Sequence, residues 1–233
     1  MGLPIQAAPT YVCNLSDGRE VKYRPFLVKE QKYLLIAKES EDGKEIAEAL
    51  TQLIESVTFG KIDANKLSLF DLEYLFLQIR TKSVGETTKV KFLCGEEDCT
   101  GSGSAEINLN EVKLTENPLD SKLMLTDNLG LVLKYPTVGE LSIVEGIEDT
   151  DDRLIATVMY GIETIFDENE VYECKDVQSS DLKEFVESLT LEQLEKVNEY
   201  FIQTPSLKEN IGYTCELCGT KQEKVLQGLN SFF

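Results

Sequence analysis

Residues 213–223 read YTCELCGTKQE. Cys215 and Cys218 stand two residues apart, Gly219 follows, and a β-prone run lies on each side, IGYTC before and EKVLQGL after. Outward from there, CGEEDC at 94–99 has the same surroundings. KVKFLC leads in, AEINL leads out, and Gly101 lies two residues behind Cys99. Each stretch reads as a hairpin with two cysteines at its tip. Two such tips supply four thiolates, which complete a tetrahedral zinc shell with Zn–S bonds of about 2.3 Å and leave no open position for water. A glycine behind the second cysteine lets the backbone turn with φ > 0. The expectation is therefore a structural zinc held by Cys94, Cys99, Cys215 and Cys218. The pairs lie more than 100 residues apart, so only the fold can bring them together. Two separate or partly oxidised pairs are the alternative. A redox CxxC belongs at a strand-to-helix junction, where the helix N-terminus lowers a thiol pKa. A β-prone run follows Cys218 instead, which leaves a thiol-disulfide oxidoreductase as the weaker reading. Cys13 and Cys174 read as small buried hydrophobes.

Composition narrows the function classes. The chain has 233 residues, 42% apolar and 28% charged, with a formal net charge of −19 and no histidine. Such a charge repels nucleic acid and anionic membranes, so neither is an expected partner. Without histidine the commonest general base, the Ser-His and Cys-His nucleophile pairs and imidazole zinc ligands are missing. No phosphate loop, nucleophile elbow or distinct carboxylate pair stands out, and no small-molecule substrate is expected. No apolar run reaches the 18 or so residues of a membrane span. The N-terminus lacks the regions of a signal peptide, and Gln6 stands where a myristoylation site needs Ser or Thr. An intracellular protein with reduced thiols is expected.

Periodicity gives an α+β chain. TYVCNL and EVKYRPFLV, split by SDGR, read as a hairpin. KEIAEALTQLIESV carries Ile46, Ala49, Leu50, Leu53, Ile54 and Val57 on one helical stripe. SLFDLEYLFLQIRTKSVG is apolar nearly all round and reads as a buried central helix. TTKVKFLC, SAEINLNEVKL, SKLMLTD and GLVLKYP alternate as strands, the last two as a hairpin. After Pro136 helices are expected at TVGELSIVEGIE, DDRLIATVMYGIETIF, DLKEFVESL and LEQLEKVNEYFIQ, a helical C-terminal half. The organisation predicted is an arm and first strand at 1–19, a main body at 20–210 carrying the Cys94/Cys99 tip, and a cysteine hairpin and tail at 211–233 docked on that body. A zinc-knuckle or ribbon-like four-cysteine site completes it.

Several stretches together have a familiar form. YRPFLVKEQKYLLIAKES at 23–40 resembles a signature segment of the T-even-type myophage baseplate hub and hub assembly family. SLFDLEYLFLQIRTKSVGE at 68–86 resembles its second signature, and the cysteine pairs resemble its paired-cysteine segments. The resemblance implies a component or assembly chaperone of a contractile-tail baseplate hub, not an enzyme. Its implied partners are hub or tape-measure proteins, met in the host cytoplasm during assembly or in the virion tail. Arg24, Lys29, Glu30, Lys32, Arg80 and Lys82 lie inside the two signatures and are read as interface residues against the alternative of a solvated face. Phe232 and Phe233 end the chain and are read as either anchors for a partner or residues tucked onto their own hairpin.

Overall fold

β1 (Tyr11–Asn14) and β2 (Glu20–Tyr23) pair antiparallel, with Tyr11 opposite Tyr23 and Asn14 opposite Glu20. The turn between them uses Gly18 at φ +82°, a conformation that an L side chain resists. These elements belong to a computed structural model that describes residues 7–40 and 43–232. Period-two alternation puts Cys13, Val21 and Tyr23 on the buried face of the hairpin. Its turn is pinned by Asp71, whose carboxylate accepts from the Ser16 amide at 2.9 Å and the Ser16 hydroxyl at 2.8 Å.

The chain divides into two compact units. One comprises the chain up to Ala64, Phe70–Thr115 and the chain from Ser206 onward. The other comprises Asn65–Leu69 and Glu116–Pro205. The division differs from the boundaries read in the sequence, because the polypeptide leaves the first unit after Thr115 and re-enters it at Ser206.

In the first unit a 3-10 turn (Val28–Glu30) runs into α1 (Gln31–Glu39), and α2 (Gly43–Val57) follows. The stripe expected on α2 is the one it buries: Ala49, Leu50, Leu53, Ile54 and Val57 are buried and Ile46 is half-buried. Each of the buried Leu, Ile and Val side chains stabilises by about 1.5–3 kcal/mol relative to exposure. α2 ends in a Schellman turn, with the Gly60 amide on the Glu55 carbonyl at 2.8 Å. Phe59 takes the left-handed position there, at φ +62°. α3 (Leu69–Val84) buries Phe70, Leu72, Leu75, Phe76, Leu77 and Ile79, as its all-round apolar sequence predicts. β3 (Thr87–Leu93) and β4 (Ser102–Asn108) form one hairpin. β10 (Leu207–Thr214) and β11 (Lys221–Gln227) form another, extended by β5 (Lys113–Leu114) into a three-stranded sheet in the order β11-β10-β5.

The second unit is built on an antiparallel sheet in the order β6-β7-β8-β9. Its strands are β6 (Lys122–Met124), β7 (Leu129–Leu133), β8 (Ile162–Asp167) and β9 (Val171–Glu173). Its helices are α4 (Val138–Glu145), α5 (Thr150–Gly161), α6 (Ser179–Glu187) and α7 (Leu191–Ile202). Leu131, Leu133, Val158, Ile162, Val186 and Val197 lie in one core. The expected starts of α4 and α7 are capping boxes, Thr137 with Glu140 and Thr190 with Gln193.

The helical C-terminal half is not what the fold shows. That half carries β6 to β11 beside its helices. The helix expected through Phe166 stops at Gly161, and Ile162–Asp167 becomes β8, paired with β7 on one edge and β9 on the other. Two flanking strands supply backbone partners that a continued helix would leave unpaired. Gly161 is also in tight packing, since a Cβ there would lie 2.3 Å from the Phe201 ring.

Candidate metal centre

The four cysteines expected at two hairpin tips meet in the first unit. Cys94 follows β3 and its amide bonds the Gly101 carbonyl at 2.9 Å, closing the first tip. Cys99 turns back through its amide to the Glu96 carbonyl at 3.1 Å. In the second tip the Cys215 amide bonds the Thr220 carbonyl, and the Gly219 amide bonds the Cys215 carbonyl, each at 3.0 Å. Gly219 sits at φ +75°, as the position after a knuckle requires.

All four sulfurs lie within 4.8 Å of one another. Cys94 Sγ is 3.7 Å from Cys218 Sγ, and Cys99 Sγ is 3.7 Å from Cys215 Sγ. A tetrahedron with metal–sulfur bonds of about 2.3 Å has edges of about 3.8 Å. A disulfide needs about 2.05 Å. Both 3.7 Å approaches are between tips, and their length suits a shared ion. The donor set is all sulfur, which suits zinc among divalent ions and excludes the hard cations magnesium and calcium.

The four thiols perturb one another. The Thr220 hydroxyl and amide, helped by Cys215, bring the Cys218 thiol down to about 6. At Cys99 the Gly101 amide also lowers the thiol, but burial and the three neighbouring sulfurs prevail and hold it up at about 12. Four thiolates this close repel strongly unless a cation lies among them.

Residues that the sequence reading did not single out hold the tips together. The Gln222 amide nitrogen lies 3.3 Å from Cys94 Sγ, and its oxygen accepts from the Gly95 amide at 2.9 Å and from the Tyr213 hydroxyl at 2.5 Å. The Tyr213 hydroxyl also lies 2.8 Å from the Leu93 carbonyl oxygen, and the ring packs on Phe92, with ring centroids 5.2 Å apart. The Glu216 amide reaches the Ser102 carbonyl at 2.9 Å. Gly101 and Gly103 permit this approach: a Cβ at Gly101 would lie 2.7 Å from Cys215 Sγ, and one at Gly103 would lie 2.4 Å from the Thr214 carbonyl oxygen. The small-residue run TGSGS at 100–104 was the available signal. Cys13 is buried and Cys174 half-buried, apart from this cluster.

The six charged interface candidates scatter. Arg24 and Glu30 turn inward, at 8% and 1% exposure, and pair through both guanidinium nitrogens at 2.9 and 3.3 Å. The reason is local: Glu30 also accepts from the Leu27 amide at 2.7 Å and the Ser56 hydroxyl at 2.9 Å, which completes its shell below the surface. Burial pushes the Glu30 pKa up, but Arg24, Leu27 and Ser56 outweigh it and hold the carboxyl at about 2. Lys29 and Lys32 are exposed. Arg80 is half-buried and caps the end of α3 through the Gly85 carbonyl at 2.9 Å. Lys82 pairs with Glu86 at 2.7 Å. Phe232 is fully buried, and Phe233 lies outside the described residues.

Over residues 8–233 the chain matches the model of a family described as T4 bacteriophage base plate protein. The chain belongs to that family, and its expected context is the phage particle or its assembly. No curated protein and no solved structure matches it. Among the described residues no helix is long and apolar enough to cross a membrane.

Proposed function

We propose that this baseplate protein works through protein–protein contacts at the tail hub, as a hub component or as the factor that helps assemble it. In this reading a structural zinc ion, bound by Cys94, Cys99, Cys215 and Cys218, fastens the β10–β11 hairpin to the β3–β4 hairpin and stiffens the unit that presents the surface. When bound, the metal supplies cross-linking, since four thiolates leave no site for a substrate or water. Hub or tape-measure proteins are the partners, met in the host cytoplasm during assembly. The observation that carries the reading is the convergence of four sulfurs from two distant tips in a chain of the baseplate family.

The chemistry elsewhere supports a non-enzyme. A cavity of about 440 Å³ in the second unit is lined by Lys134, Glu140, Met159, Tyr160 and Cys174 among others. Burial raises the Cys174 thiol, which makes it a poor nucleophile at neutral pH. Burial also raises the Glu140 carboxyl, but Lys134 at 2.7 Å and the Thr137 amide reverse this and hold it low, unsuited to a general acid.

Mass spectrometry of purified virions, beside pull-downs from infected cells at successive times, tests the reading. A permanent subunit gives abundant peptides in the virion. An assembly factor gives hub or tape-measure proteins in early pull-downs and none of its own peptides in the finished particle. Absence from both, or turnover of a substrate by the isolated protein, would overturn it.

A further inference from the structure

Charge is distributed unevenly along this chain. Residues 22–38 hold five of its 23 basic residues and one of its 42 acidic ones. The second unit holds 21 acids against seven bases, a net −14 of the total −19. The single acid of the basic segment, Glu30, is neutralised below the surface by Arg24. What reaches solvent there is basic and apolar. Val28 is 86% exposed, Leu35 50%, and Lys29 and Lys32 are exposed beside them. Lys29 also lies 3.4 Å from Glu30, and Lys32 lies over the Tyr33 ring at 4.8 Å. The 3-10 turn runs on into α1, so Val28, Lys32 and Leu35 follow the spacing of one helical face. No described side chain of α1 is buried.

α7 carries the same pattern with the sign reversed. Val197 and Tyr200 point into its core, and Leu191, Glu195, Glu199 and Ile202 follow one outward stripe. Leu191 is 80% exposed and Ile202 76%, with the two glutamates exposed between them. One face sets lysine between Val28 and Leu35, with the exposed Glu39 one turn beyond, and the other sets glutamate between apolar ends.

We infer that these faces join copies of this chain to one another. The α1 face of one copy lies on the α7 face of the next, with Lys29 and Lys32 opposite Glu195 and Glu199 and the apolar ends covering each other. The two faces differ, so the contact closes as a two-fold dimer where both α1–α7 pairs form between the same two copies, and otherwise repeats into a ring or an open filament. Nucleic acid and anionic membrane also carry negative charge, but both are extended and meet the whole −19, whereas a helix face meets chiefly the field within a Debye length of about 8–10 Å. This goes beyond the hub reading and does not rest on the metal.

Sedimentation equilibrium on the full chain tests it. Concentration-dependent association is expected. Lys29→Glu with Lys32→Glu weakens it at least about tenfold, as does Glu195→Lys with Glu199→Lys, since close opposite charges become like charges. The four substitutions combined restore it. Unchanged circular dichroism and thermal midpoint in each variant show that folding is intact. A wild-type chain that stays monomeric overturns the proposal, as do charge swaps without effect or a combination that fails to restore association. Binding of the lysine face to phosphatidylserine vesicles with no self-association also overturns it. Monomeric protein that still co-purifies with tails would sink this contact and leave the hub reading standing.

Discussion

Glu30 shows how a charge is held in the interior here. Its carboxylate accepts from Arg24, the Leu27 amide and the Ser56 hydroxyl, and Arg24 in turn reaches the Pro25 carbonyl at 3.0 Å. Removing one partner from such a pair leaves the other buried and uncompensated, at a cost of about 3–5 kcal/mol. Glu30→Gln is therefore expected to destabilise the chain by about 3 kcal/mol at pH 7, read by urea unfolding. The pH dependence has a definite sign. The folded pKa of about 2 lies below the ordinary value of 4.5, so the stabilisation is fully present above that ordinary value and is lost as pH falls toward 2. The gap between wild type and Glu30→Gln should narrow when unfolding is repeated at pH 3. An equal gap at both pH values would show that the ionised carboxylate is not the source. Gly101 makes a second test at this scale. A methyl there would lie 2.6 Å from Leu217 Cβ as well as against Cys215 Sγ. Gly101→Ala should cost about 1–3 kcal/mol and loosen the second tip, seen as faster exchange of the Cys215 amide.

At the scale of the element, the cysteine tips were legible because each is a local device. Two ligands, a tight turn and a glycine lie within eight residues at 94–101 and within five at 215–219. The α2 and α3 stripes were legible for the same reason, as their periodicity is local. β8 was not. Ile162–Asp167 continues the apolar content of α5, and what makes it a strand is its pairing to β7 and β9, which no local pattern records. The fate of Arg24 and Glu30 was hidden likewise, because α2 contributes to it through Ser56 and the Val57 carbonyl, which takes the Arg24 amide at 3.1 Å. The α7 cap is a clean local test. The Thr190 hydroxyl accepts from the Gln193 amide at 3.3 Å, so Thr190→Ala should lower stability by about 1 kcal/mol in thermal or urea unfolding. An unchanged midpoint would mean that α7 is held by packing alone.

For the whole molecule, the sulfur cluster ties chain segments 116 to 124 residues apart. With the proposed metal bound, such a link would stabilise chiefly by restricting the unfolded chain and by metal–ligand bonding itself. Chelation should lower the melting temperature and raise hydrogen exchange at 94–101 and 215–220, while the core around Leu131, Val158 and Val197 keeps its protection. Uniform loss of protection would show that the metal holds more than the first unit.

The most direct test is metal analysis joined to X-ray absorption on protein purified under reducing conditions without added zinc. One zinc per chain with four sulfurs at about 2.3 Å is expected, lost when any of Cys94, Cys99, Cys215 or Cys218 is changed to Ser. Metal-free protein with four reactive thiols, or with Cys94–Cys99 and Cys215–Cys218 disulfides, would contradict it.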